Sequence, residues 1–199
     1  TDAANNVSGS SGAVSITVDS TNPAQPAITT SESLGINLYD LWDKSSGRSY
    51  LRVDFTDTFG QKFSVDKNEK LTDLSFWIKP ETGTKLDSNF ELGIYNSNSR
   101  NIVYKSSTIP ITTSLGSFSE VKQSGINLDL EKSIDYIAYI SVEDLGNVSD
   151  DSWQVAASQS DILSNHNAYY SFNKSSYTSD SNFDYVINAS GYVDHSDGI

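Results

Sequence analysis

The chain has 199 residues, with 26 Asp and Glu against 13 Lys and Arg and a formal net charge of -13. This acidic balance excludes nucleic acid as an expected partner, because neutralising phosphates requires clustered cations that the sequence lacks. The absence of cysteine excludes disulfides and thiolate metal sites, and without an apolar run of about 18 residues no membrane insertion is expected. There is also no methionine, even at position 1, so we expect a piece of a longer or processed protein.

Residues 1–28 are predicted to form one strand followed by a linker. Val14–Val18 (VSITV) alternates apolar and polar residues, which favours an edge strand. The following DSTNPAQPA is polar and contains two prolines, which favour an extended chain. This segment resembles the last strand and linker of the tandem immunoglobulin-like repeats of giant bacterial adhesins, with TNP in place of their usual TAP. The resemblance implies that the main domain belongs to a long extracellular array.

From Gly35 onward the sequence predicts one short strand after another, separated by turn signals such as DKNEK, KPETG and DLGN. Helical periodicity is nearly absent. The predicted strands are Arg48–Phe55, Gly60–Val65, Leu71–Lys79, Asn89–Tyr95, Ile102–Ser107, Phe118–Ile126, Ile134–Val142, Trp153–Ala157, Ala168–Phe172 and Phe183–Ala189. About ten such strands indicate an all-β, antiparallel β-sandwich over residues 29–193, with residues 194–199 as an exit linker.

The period of two assigns faces to the strands. On the third predicted strand, the residues expected to face the core of the sandwich are Leu71, Leu74, Phe76 and Ile78. Trp77 then points the other way, together with Ser75. In NFDYVINA the same alternation places Asp184 opposite Phe183 and Tyr185, which makes it either a metal ligand or an ordinary solvent-facing residue.

The order of FGQKFSV, LTDLSFWI, FELGIYNSNSRNIVY, SIDYIAYISV, DSWQVAAS, AYYSFNKS and NFDYVIN resembles a jelly-roll module of secreted bacterial proteins, over roughly 45–190. Together with the repeat boundary, the chain is similar to the ligand-binding region of RTX-type giant adhesins. That resemblance implies a calcium-dependent module on the bacterial cell surface, monomeric within a longer multidomain chain. It also implies that the module holds a glycan or a peptide on a target cell.

Acidic clusters supply the candidate calcium ligands, because calcium takes about six to eight oxygens, several of them carboxylates. The candidates are Asp54, Asp57, Asp150, Asp151, Asp180, Asn182 and Asp184. The D-x-N-x-D spacing of the last three allows them to point at one ion from a loop. An EF-hand is rejected because its glycine and final glutamate are missing. The alternative is a polar turn in which Asn and Asp cap backbone groups.

Exposed aromatic rings and nearby cations supply the candidate ligand-binding residues, which are Trp42, Arg48, Tyr169 and Lys174. Because side chains alternate along AYYSF, one of the paired tyrosines points outward, and we expect this to be Tyr169. Aromatic rings suit sugars, whereas a cation suits the terminal carboxylate of a peptide, so both ligand classes stay open. The alternative for most of these rings, Trp153 above all, is the sandwich core.

We expect the protein not to be an enzyme. The sequence has no G-x-S-x-G, no H-E-x-x-H and no phosphate-binding glycine loop. NHNAYYSFNKSSY is faintly similar to one strand of jelly-roll polysaccharide lyases, but the companion strand with a histidine is missing. His166 is therefore expected in a loop or as a hydrogen-bonding partner. A calcium-braced spacer without a ligand is the second hypothesis, and a lyase or hydrolase is the third.

Overall fold

The structure is a computed structural model that describes residues 36–37, 58–80, 85–114, 117–142, 145, 153–158, 161–163, 166–170 and 178–193. The strands in these residues are β1 (Ile36–Asn37), β2 (Thr58–Ser64), β3 (Glu69–Pro80), β4 (Lys85–Asn96), β5 (Asn101–Lys105), β6 (Ile109–Ser114), β7 (Ser119–Leu130), β8 (Asp135–Ser141), β9 (Trp153–Val155), β10 (Ala168–Tyr170), β11 (Thr178–Asp180) and β12 (Ile187–Val193). Among the described residues, none belongs to a helix long and apolar enough to span a membrane.

The strands form two antiparallel sheets. The first sheet has the order β1–β12–β3–β7, and β9 pairs with the far end of β3. The second sheet has the order β11–β10–β2–β8–β4–β5, and β6 pairs with the first half of β4. The two sheets pack on one hydrophobic core, which confirms the predicted all-β sandwich.

The core lies between the sheets. All four core-facing residues predicted on β3, Leu71, Leu74, Phe76 and Ile78, are fully buried. The second sheet contributes inward-facing side chains from its central strands, among them Phe59, Phe63, Leu92, Ile94 and Ile140. Alternation along β3 places Ser75 and Trp77 on the outer face of the first sheet, yet both are also buried.

β5 and β6 together line one edge of β4. Lys105 of β5 pairs with Gly93, and Ile109 of β6 pairs with Phe90. Between them the Ser106 amide donates to Leu92 O at 2.8 Å, while Leu92 N donates to Ser106 Oγ at 3.0 Å. The serine hydroxyl therefore replaces a backbone acceptor where the ladder is interrupted, as expected at a β-bulge.

The last predicted strand begins later than expected. β12 starts at Ile187 instead of Phe183, and the residues before it make an isolated bridge between Ala157 and Tyr185. β1, β6 and β11 were not predicted. β1 and β11 are very short, and β6 contains Pro110. A proline is acceptable in β6 because that strand lies at a sheet edge. The predicted strand 48–55, residues 1–28 and residues 194–199 lie outside the described residues.

Candidate functional site

The outer face of the seven-stranded sheet carries a row of residues that crosses five strands. Phe59 and Gln61 of β2 point inward, since Phe59 packs on Tyr185 and Gln61 bonds to Asp184. Gly60 between them therefore lies on the outer face. Strand register then aligns the members of this face in the order Tyr169, Gly60, Tyr139, Gly93 and Lys105. We call these five residues the tyrosine–glycine row.

At both glycines of the row, a side chain of the neighbouring strand β8 occupies the space that a Cβ atom would need. A Cβ atom at Gly93 would lie 2.2 Å from Cζ of Tyr139, and one at Gly60 would lie 2.5 Å from Cγ2 of Ile137. Both distances are far below van der Waals contact. The Tyr139 ring therefore lies across the backbone of β4 and does not stand away from the sheet.

A buried carboxylate lies beside the row. Glu91 is 7% exposed although it is on the outer face, and its Oε2 is 2.6 Å from Nζ of the exposed Lys105. The Tyr139 hydroxyl lies 3.5 Å from Glu91 Oε1. Ser141, the register partner of Glu91, accepts a 2.7 Å hydrogen bond from Thr58 Oγ1. Carboxylate, ammonium and hydroxyl groups thus surround one edge of an aromatic ring.

The expectation that Tyr169 is exposed is wrong. Tyr169 is 7% exposed and belongs to a small cluster with Tyr95, Ile137 and Tyr139 on the outer face. Side-chain alternation correctly predicted that this tyrosine faces away from the main core. It could not reveal the second cluster, because that cluster joins β10 to β4 and β8, which are distant in the sequence.

The position of Asp184 also corrects the sequence prediction. Asp184 is 0% exposed, and both of its carboxylate oxygens accept hydrogen bonds from protein donors. Oδ1 accepts from Gln61 Nε2 at 2.8 Å, and Oδ2 accepts from the amides of Ile162 and Leu163 at 2.6 and 2.8 Å. Tyr185 N in turn donates to Gln61 Oε1 at 2.8 Å. Asp184 is thus a buried bridge between the sheets and the 161–163 turn, instead of a solvent-facing ligand.

The surroundings of Asp184 act on its pKa in both directions. Burial is the largest influence and raises the pKa, and the charge of nearby Asp161 adds to that effect. The amides of Leu163 and Ile162 and the Gln61 side chain stabilise the carboxylate and lower it. The net result is a pKa above the ordinary aspartate value, because burial outweighs the three hydrogen bonds.

Asp180 and Asn182 form the polar turn that was the alternative to a calcium site. Asp180 Oδ1 accepts hydrogen bonds from the Asn182 amide at 2.8 Å and from its Nδ2 at 2.7 Å. Asp184 is committed to Gln61 and the 161–163 turn, so the D-x-N-x-D residues do not fit a shared ion. Within the part of the chain that the structure describes, no group of three or more His, Asp or Glu is arranged to hold a metal.

Seven other candidates lie outside the described residues. They are Trp42, Arg48 and Lys174 for ligand binding, and Asp54, Asp57, Asp150 and Asp151 for calcium.

His166 is a hydrogen-bonding partner at the end of the turn. Its Nε2 is 3.1 Å from Ser64 Oγ, and its backbone amide donates to Leu163 O at 2.9 Å. Its Nδ1 is buried and meets no hydrogen-bonding partner among the described residues. A serine–histidine contact of this length occurs in nucleophilic catalysis, but there a third group orients the histidine. The contact by itself therefore defines no catalytic site.

Sequence reasoning missed Glu91, Lys105 and Tyr139. A usable signal was present, because alternation along FELGIY and DYIAYIS places Glu91 and Tyr139 on the faces opposite Leu92 and Ala138. The proximity of the three residues follows only from strand register.

The fold and this face define an antiparallel β-sandwich with a partly aromatic, partly charged outer sheet surface. No protein-family model matches the chain, and no curated protein matches it with significant similarity.

Proposed function

We propose that this chain is a ligand-binding adhesion module of a bacterial cell-surface protein that holds a glycan or a peptide on a target cell. The observation that supports this best is the outer face of the seven-stranded sheet. There Tyr139 lies beside the buried Glu91 and its exposed partner Lys105. None of these three polar groups is needed to fill the core between the sheets.

An antiparallel sheet with one solvated face normally presents polar, exposed side chains there. This face instead combines apolar rings with a small number of positioned polar groups, the combination that is typical of ligand sites. Because Lys105 is exposed, a ligand hydroxyl or carboxylate can approach its ammonium from solvent. The adjacent Glu91 carboxylate would accept a hydrogen bond from the same ligand.

Calcium dependence is part of the proposal, through the acidic residues that lie outside the described ranges. Asp184 is no longer a candidate ligand, because both of its carboxylate oxygens accept hydrogen bonds from protein donors. Asp180 and Asn182 bond to each other in a turn, so we place the calcium ligands at Asp54, Asp57, Asp150 and Asp151. A calcium ion held by carboxylates would order acidic loops and make binding reversible by chelators.

The test is a glycan array and a peptide array probed with the wild-type chain and with Lys105→Ala, each in calcium and in EDTA. Lys122→Ala is the matched control, because Lys122 forms a 3.4 Å ion pair with Asp73 on the other sheet. We expect binding that Lys105→Ala weakens and Lys122→Ala leaves unchanged. If binding persists in EDTA, the proposed calcium dependence is wrong, whereas the proposed ligand-binding function still stands.

Two outcomes would replace the proposed function. If the folded protein binds nothing on the glycan array or the peptide array, the hypothesis of a spacer without a ligand is favoured. Turnover of a polysaccharide that His166→Ala abolishes would favour a lyase or hydrolase.

A further inference from the structure

β5 lies at an open edge of the seven-stranded sheet. Among the described residues, Asn101–Lys105 pair with β4 alone, so the other side of this strand meets no further strand there. Solvent reaches this side, because Asn101, Val103 and Lys105 are all exposed. We call the side of β5 that faces away from β4 the β5 edge.

The β5 edge presents backbone hydrogen-bonding groups. Leu92 of β4 and Ser106, which follows β5, bond to each other. Because bonded and non-bonded pairs alternate in an antiparallel ladder, the N–H and C=O of the adjacent Lys105 point away from β4. Val103 has no register partner on β4, since the register shifts at this point. Outward-pointing backbone groups of this kind are a template for another strand, and the bulge limits that strand to a few residues.

Two of the devices that commonly protect sheet edges do not act on β5. Prolines and projecting lysines often prevent an edge from pairing. β5 contains no proline, unlike β6 with its Pro110. Lys105 Nζ lies 2.6 Å from Glu91 Oε2, so the ammonium group is directed back over β4 and does not extend beyond the edge. An approaching strand would instead meet Val103, whose side chain is 38% exposed.

The charge around the β5 edge is opposite in sign to that of the whole chain. Between Glu91 and Glu120 the sequence contains two cations, Arg100 and Lys105, and no acidic residue, whereas the chain carries -13. Arg100 is exposed, and its guanidinium forms no ion pair with a described residue. It immediately precedes β5 and therefore lies at one end of the edge. An acidic segment is attracted to this place on an otherwise repelling surface.

We infer that the β5 edge is a docking site for an extended acidic segment of a partner protein, which joins the seven-stranded sheet as a further strand. Main-chain hydrogen bonds supply the affinity in this mode of recognition, and neighbouring side chains supply the specificity. Arg100 provides the preference for acidic side chains. The inference goes beyond the proposed function, because it uses the backbone at the edge of the sheet and needs no calcium.

A second copy of the chain fits the β5 edge less well than an acidic segment does. Two β5 edges paired with each other would bring Arg100 and Lys105 of one copy close to the same cations of the other, and like charges across paired strands are destabilising. The net charge of -13 on each copy also opposes association. A saccharide lacks a regular series of amide groups and cannot continue the ladder.

The experiment titrates the full chain, in EDTA, with a capped peptide that alternates glutamate and valine over about eight residues, a usual strand length. We expect the amide NMR signals of Val103 and Lys105 to shift, and hydrogen exchange at the Lys105 amide to slow. A peptide with lysine in place of glutamate should bind about tenfold more weakly. A peptide that is N-methylated at each residue should not bind, because it cannot donate to the ladder.

Variants at two positions separate charge from folding effects. Val103→Glu and Val103→Lys place opposite charges at the same exposed position, so the first should weaken the acidic peptide about tenfold while the second retains or strengthens binding. Arg100→Asn should weaken it about threefold. Asparagine tolerates the φ of 59° at this position, so the fold should be retained. Lys122→Ala, on the other sheet, should change nothing.

Three results would overturn the inference. The first is an acidic peptide that shifts no β5 amide of the wild-type chain. The second is equal binding of the acidic and lysine peptides, or of the N-methylated peptide and its parent. The third is a dimer of the chain that Val103→Glu dissociates, since the occupant would then be a second copy. Because the titration is done in EDTA, it can fail while calcium-dependent binding on the arrays persists, and the reverse.

Discussion

Tyr139 lies across Gly93 on the neighbouring strand so closely that any Cβ atom at position 93 would come within 2.5 Å of two ring carbons and the hydroxyl oxygen of Tyr139. The two residues are register partners in the β4–β8 pair. The absence of a side chain at Gly93 therefore allows the ring to lie flat, with its hydroxyl 3.5 Å from Glu91. The geometry of the outer face depends on this one pair.

Gly93→Ala should lower the free energy of unfolding by about 1–3 kcal/mol, because the methyl group forces the Tyr139 ring out of its position. Urea denaturation measures this loss. The double variant Gly93→Ala with Tyr139→Leu should recover part of it, since the smaller side chain relieves the clash. Equal losses in the single and double variants would contradict the role assigned to the ring.

Lys105→Ala should destabilise the fold more than Lys122→Ala. Removing Lys105 leaves the buried Glu91 carboxylate without its cation, whereas removing Lys122 leaves Asp73 half-exposed and hydrated. Exposed ion pairs contribute about 0–1 kcal/mol, while an unpaired buried charge costs considerably more. Thermal unfolding of the two variants under the same conditions gives the comparison. Equal melting temperatures would mean that water reaches Glu91.

Asp184→Asn should lower the free energy of unfolding by about 1–3 kcal/mol. Three donors bond to the two carboxylate oxygens, and the NH₂ group that replaces one oxygen cannot accept a hydrogen bond. The donors are Gln61 Nε2 and the amides of Ile162 and Leu163. Hydrogen exchange should quicken at these two amides before it quickens in β3. Unchanged exchange there would argue against the bridge.

The same substitution has a defined dependence on pH. The folded state raises the pKa of Asp184, so it binds the proton more tightly than the unfolded state does. The contribution of this group to stability is therefore fully present below the unfolded pKa of about 3.9 and is lost as pH rises through the folded value. The stability difference between wild type and Asp184→Asn should shrink over that window and then level off. A difference that grows with pH would mean that the hydrogen bonds outweigh burial.

Asp180→Ala should cost about 1 kcal/mol, comparable to the loss of a helix N-cap, because the Asn182 amide loses its side-chain acceptor. Melting curves recorded in calcium and in EDTA should show the same loss, because we assign Asp180 to a turn. A loss that appears only in calcium would restore Asp180 as a metal ligand.

Much of the sandwich was predictable because side-chain alternation is a local property. The period of two identified the core positions of β3 and predicted that Tyr169 faces away from the main core. Turn residues marked the boundaries between most of the strands. β6 was missed because Pro110 is unfavourable within a strand, and the start of β12 was placed too early. In the segment before β12 every residue from Phe183 to Val186 is buried, so alternation gives no usable information there.

The sequence by itself determined the class of fold and the strongly acidic charge, since both follow from composition and from neighbouring residues. Only the tertiary structure decided that Asp184 is buried, that Tyr169 is covered and that Glu91 meets Lys105 beside Tyr139. Each of these depends on the register between strands that are distant in the chain. Register is set by many weak contacts acting together across a sheet, and no local pattern contains them.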